Sequence, residues 1–142
     1  MTVTKVLLSL HVLAAIVAIG PVTVAASMFP AAVRRGDVAQ MRTLHRICRV
    51  YAVLGLTVPV FGLATAASLG VLTDAWLLVS IALTAVAAVV LAYAILPAQA
   101  AAIGDRKPAV AGRLGMVSGI FNVLWATVVV LMIVRPGSTT GA

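Results

Sequence analysis

Glutamate is missing altogether, and the only acids are three aspartates, Asp37, Asp74 and Asp105. That excludes paired-glutamate acid–base chemistry and the di-iron carboxylate sites that need several inward glutamates. Cys48 is the single cysteine, so no intrachain disulfide and no thiolate-built metal cluster is available. Charged residues make up 9% of the 142 and aromatics 5%. Soluble domains carry about 25% charged residues, so a soluble globular fold is excluded. Disorder is excluded too, because 63% of the chain is apolar and the mean hydropathy is +1.21. No phosphate loop, Ser-His-Asp set or zinc spacing occurs, and no membrane-embedded acid is present to couple protons to transport.

What is there is four apolar stretches, at about 6–29, 50–71, 75–96 and 114–134. Each approaches the ~20 residues that cross a ~30 Å hydrocarbon layer, and none has a charged residue in its interior. Barrel strands would read as ~10-residue alternating segments, so the fold class is all-α, a polytopic up-down bundle of four transmembrane helices. The first stretch is longer than the ~7–15 apolar residues of a signal peptide and reads as a span. Residues 1–135 form one domain, and 136–142 read as a disordered tail.

The net charge of +7 does not point to nucleic acid, because no basic cluster carries interleaved aromatics. Arg34, Arg35, Arg42, Arg46 and Arg49 follow the first stretch, and Arg106, Lys107 and Arg113 lie between the third and fourth. These eight of the ten cations fall on one side, leaving Lys5 and Arg135 on the other. Positive charge stays cytoplasmic, which predicts both termini outside and a multi-pass protein of the bacterial cytoplasmic (inner) membrane. Within the first basic segment, Val38, Met41, Leu44, His45 and Cys48 recur at helical spacing. That pattern predicts a short amphipathic helix running into the second span. Its arginines, with Arg34 and Arg35, set topology and face anionic lipid, at ~1 kcal/mol each.

Pro21, Pro59 and Pro97 lie in or at the end of the first three spans. Kinks are expected near Gly20-Pro21 and near Gly55 with Pro59. Small residues mark helix contacts in lipid. Gly62, Ala66 and Gly70 form one such stripe on the second span, and Gly115 and Gly119 another on the fourth. Either stripe serves packing inside the bundle or contact with a second copy or a membrane-protein partner.

Few groups carry chemistry. His11 lies about two turns into the first span, on a face with Ala14, Ala15, Ala18, Val22 and Ala25. Thr65, Ser80 and Thr127 fall at similar depth and Asn122 at mid-span, which predicts a polar pocket around His11. His45 belongs to the opposite end, so the two histidines cannot clamp one metal or one haem in a monomer. Trp76, Tyr51 and Tyr93 fit aromatic belts at the membrane boundaries.

The order of features, Leu10-His11, Phe29-Pro30 before a basic loop, Thr57-Val58-Pro59 through Gly62, and a final Val130–Pro136, resembles a known group. It is similar to small four-helix bacterial membrane proteins, the uncharacterised "predicted integral membrane protein" family. That family is distantly like the HemJ-type protoporphyrinogen oxidases and the CopD-type copper proteins. The resemblance implies outward termini, a buried His11 and, from the HemJ type, b-type haem on that histidine. The third-span lysine of the HemJ enzymes has no counterpart, since 75–96 holds neither Lys nor His. The expectation is therefore a non-enzymatic integral membrane protein, an accessory subunit or small binding protein with no metal and no cofactor. One alternative is a haem b or tetrapyrrole redox protein using His11. The other is a small transporter assembled as an oligomer.

Overall fold

The computed structural model describes residues 2–105 and 107–137. Arg106 and most of the C-terminal tail assigned to disorder lie outside these residues. Four helical rods carry almost all of the described chain: α1 (Thr2–Arg35), α2 (Val38–Leu69), α3 (Ala75–Gly104) and α4 (Ala109–Val134). Each is long and apolar enough to cross a membrane, and no described residue is in a strand. The rods hold 34, 32, 30 and 26 residues, or roughly 39–51 Å at 1.5 Å per residue. Every helix thus outruns its apolar stretch. Most of the extra length lies at the end bearing most of the arginines, called here the arginine end. The other, terminal end holds Thr2, Val134 and the 70–74 turn.

The connections are tight and locally encoded. Gly36 closes α1 in the left-handed region at φ +66°, and Asp37 Oδ1 accepts from the Gln40 amide at 3.1 Å to start α2. Those two residues suffice to reverse the chain. Gly70, at φ +73°, closes α2 the same way. The basic segment after Asp37 is helical from Val38 without a break to Leu54, and it buries Met41, Leu44 and Cys48. That is the face its spacing predicts.

Proline shapes the rods. A proline has no N–H, and its ring crowds the carbonyl four residues back. Pro21 and Pro97 each follow a π-helical turn, Ala15–Ile19 and Val90–Ile95. In the second of these the Leu96 amide reaches five residues back to Leu91 O. The wider turn holds one extra residue and relieves the crowding, so the chain stays helical where a simple kink is expected. In α2 the helix is interrupted at Gly55 and Leu56, and the carbonyl that Pro59 cannot serve, Gly55 O, accepts from the Val58 amide at 3.1 Å.

Pro30 lies inside α1, which continues through it to Arg35. The carbonyl it leaves unserved is Ala26 O. Ser118 Oγ of α4 donates to that oxygen at 3.4 Å, and both groups are buried. A freed backbone acceptor inside the bundle is thereby satisfied from a neighbouring helix.

The rods pack antiparallel, α1 along α2 and α3 along α4, with α1 also against α4 and α2 against α3 near the arginine end. Packing is uneven along the bundle. The main core fills the arginine-end half, where Phe29, Met41, Ile95 and Leu114 interdigitate with Ala26, Ala32, Ala102 and Ala111. Toward the terminal end, the first helical segment of α1, Thr2–Ala14, buries no residue fully. A small cluster of Ala66, Val71, Trp76 and Leu77 closes that end. Asp74 Oδ2 accepts from Trp76 Nε1 at 3.1 Å, and the Arg135 guanidinium lies 5.4 Å from the Trp76 ring centre. Trp76 thus sits at the terminal end, turned inward and 7% exposed. Tyr93 is 79% exposed.

Ser118→Ala should destabilise the bundle by about 1 kcal/mol, the scale of interhelical hydrogen bonds in membranes. In a Pro30→Ala background, where residue 30 regains its N–H, the same change should cost little. A double-mutant cycle in reversible detergent unfolding measures this. Equal costs in both backgrounds would contradict the assigned role of Ser118.

Candidate functional site

The uneven packing leaves a cavity of about 480 Å³ in the terminal-end half, between all four rods. Its walls are almost entirely apolar. Val12 and Ile16 come from α1, Ala66 and Leu69 from α2, Leu77 from α3, and Met132 from α4. The polar side chains on it are His11, Thr65, Trp76 and Arg135. Thr65 Oγ1 is already spent on Phe61 O at 2.7 Å, and Trp76 and Arg135 are engaged with each other at the rim. His11 is the one with an open ring nitrogen.

His11 is held in place. Its Nδ1 lies 2.8 Å from Val58 O. A carbonyl only accepts, so Nδ1 carries the proton and donates. In the neutral ring Nε2 then bears the lone pair, and among the described residues it has no hydrogen-bond partner. The ring fits because residue 62 is glycine. A Cβ built on Gly62 would come within 2.9 Å of His11 Cε1 and 3.1 Å of Nδ1. The stripe that reads as a helix-contact motif thus has a specific task at its first member, which is to admit an imidazole. Ala66, one turn on, is buried and lines the cavity, whereas Gly70 belongs to the helix end. The other residues on the predicted face of His11 do turn inward: Ala18, Val22 and Ala25 are buried and Ala14 and Ala15 half-buried.

The remaining pocket candidates are not brought together with His11, apart from Thr65. Ser80 is fully buried and donates to Trp76 O. Thr127 is exposed and donates to Val123 O. Asn122 bonds across helices, Nδ2 to Ser27 Oγ at 3.1 Å, while its Oδ1 has no partner. Hydroxyls at helix positions bond back to the carbonyl four residues earlier, so equal depth alone does not gather them into one pocket. Gly115 and Gly119 are exposed. A Cβ on Gly119 would meet nothing within 4 Å, and one on Gly115 would meet only Pro30 Cγ at 3.9 Å.

A second polar cluster lies at the arginine end. Gln99 of α3 is fully buried, its Oε1 lies 3.0 Å from His45 Nδ1, and its Nε2 donates to Cys48 Sγ at 3.5 Å. Sequence reasoning missed Gln99. Its one signal is an amide standing alone in an alanine-rich run just past Pro97. No group of three His, Cys, Asp or Glu among the described residues is close enough to hold a metal ion.

Gly62→Ala should displace the His11 ring and break its bond to Val58 O, costing roughly 1–3 kcal/mol, as overpacking does. Gly119→Ala should stay within about 0.5 kcal/mol of wild type. Thermal unfolding in one detergent compares them, and equal stability of the two variants would contradict the placement of the ring. No protein-family model matches the chain, and neither does any curated protein or solved structure.

Proposed function

We propose that the protein is a non-enzymatic multi-pass protein of the cytoplasmic membrane, with both termini outside, that binds a small apolar ligand in the cavity around His11. An accessory subunit that carries such a ligand for a membrane partner fits the same reading. The observation that carries it is an apolar cavity of about 480 Å³ between four helices, holding one oriented imidazole with an unpartnered Nε2. Ligand sites are mostly apolar, with a few placed polar groups that fix orientation. His11 supplies such a group as an acceptor toward a hydroxyl or amide N–H. Among the described residues no acid lines the cavity, and the hydroxyl on it, Thr65 Oγ1, already donates to Phe61 O, which favours binding over turnover.

A second reading takes the same histidine as an axial haem ligand, in line with the likeness to HemJ-type proteins. Histidines that ligate metals commonly donate the other ring N–H to a carbonyl or carboxylate, as His11 does to Val58 O. One axial histidine suffices to hold haem. His11 would hold the iron through Nε2, and the group would then supply redox chemistry that no side chain here provides.

Native mass spectrometry of the detergent-purified protein, with solvent extraction and a visible spectrum, tests both readings. The binding reading expects a small molecule retained at near-stoichiometric level by wild type and by Gly119→Ala. Ala66→Leu, which narrows the cavity, should lose it. A Soret band that vanishes in His11→Gln would establish haem as the ligand. Equal retention by Ala66→Leu and wild type would overturn the cavity as the site.

A further inference from the structure

From the arginine end we infer a specific binding site for one anionic phospholipid, in a groove between α2 and α3. The groove has a volume of about 440 Å³, and Arg42, His45, Arg46, Arg49, Val53 and Ile103 are on its walls. Its residues follow one stripe down α2, so its chemistry changes with depth. Arg42 to Arg49 spans about 10 Å, and Val53 lies ~6 Å further along at 1.5 Å per residue. The upper part is thus basic and the lower part apolar, with Ile103 of α3 forming the opposite wall. A phosphate headgroup with acyl chains below it has this same sequence of chemistry.

The cations are available. Among the described residues, none of the Arg42, Arg46 and Arg49 side chains has an ion-pair or hydrogen-bond partner, and all three are exposed. Among the described residues no acid lines the groove. The one ion pair among the described residues, Lys107 with Asp105, lies in the loop after α3. Guanidinium groups bind phosphate oxygens through paired N–H donors, so three on one face match a phosphate diester.

The site is also built from beneath. His45 lies on the groove, and its Nδ1 is tied to Oε1 of the fully buried Gln99. Gln99 is itself oriented by its bond to Cys48 Sγ. Its oxygen therefore accepts from His45 Nδ1–H, and the Nε2 edge is left for a ligand. Arginines that only set topology need no such underpinning. A free phosphate or a soluble anion would use the basic half and leave Val50 and Val53 without a role. The occupant is therefore a lipid.

The test uses native mass spectrometry of the whole protein in a non-ionic detergent. Phosphatidylglycerol and phosphatidylcholine of matched chains are added, with and without excess inorganic phosphate. Wild type should bind one phosphatidylglycerol in preference to phosphatidylcholine and keep it in the presence of phosphate. Arg46→Gln/Arg49→Gln should weaken that binding about thirtyfold. Arg34→Gln/Arg35→Gln removes the same charge outside the groove and should leave binding unchanged. All four positions are exposed, so the variants should fold, and circular dichroism checks that they do. Equal weakening by the two double variants would reduce the effect to bulk charge and overturn the site. Displacement by inorganic phosphate, or equal binding of the two lipids, would overturn the lipid as its occupant.

Discussion

Inside hydrocarbon, a backbone carbonyl without a donor has no water to turn to, and this chain places four prolines, Pro21, Pro30, Pro59 and Pro97, within its apolar helices. Each removes a donor, and the structure answers them in three ways. Pro21 and Pro97 follow π-helical turns, Pro59 follows an interruption at Gly55 and Leu56, and Pro30 is answered by Ser118 on another helix. The last of these ties α1 to α4 in the middle of the packed half. The others set where the rods change pitch. The site depends on the same irregular region, because His11 donates to Val58 O, the carbonyl just before Pro59.

The bundle is thereby divided into two halves with different roles. At the arginine end large side chains interdigitate with alanines, and the helices are close enough to bury Gln99, Cys48 and Ser118 among them. That half is the scaffold. At the terminal end the helices pair off and meet again through Trp76 and its neighbours. A cavity remains between the pairs, and its single oriented nitrogen is what gives it chemical character. In lipid no water-exclusion force collapses such a space, since acyl chains are as apolar as the walls. An open apolar half costs less here than it would in a soluble protein.

The four helices were legible because continuous apolar runs of this length have one reading in a chain so poor in charge. The amphipathic segment was legible as well: Met41, Leu44 and Cys48 are buried where their spacing puts them. How Pro30 is accommodated was not legible, since the donor that serves Ala26 O sits on α4, and no local pattern reports a contact so distant in sequence. The inward face of His11 could be read from its alanines, but the role of Gly62 could not. A glycine in a small-residue stripe looks the same whether it meets a backbone or an imidazole. Hydroxyls at matching depth were equally ambiguous, because Ser80, Thr65 and Thr127 each satisfy themselves within their own helix. Gln99 was invisible for the opposite reason, as one amide with no partner nearby in the sequence.

The account turns on the state of His11, and histidine-selective 15N NMR in detergent micelles reads that state directly. At a pH where the ring is neutral, Nδ1 should carry the proton and Nε2 should appear as the unprotonated base. Gly62→Ala should shift the His11 signals and leave those of His45 in place. A proton on Nε2 in the wild-type protein would leave Val58 O without its donor and the cavity without its lone pair, and would contradict the account.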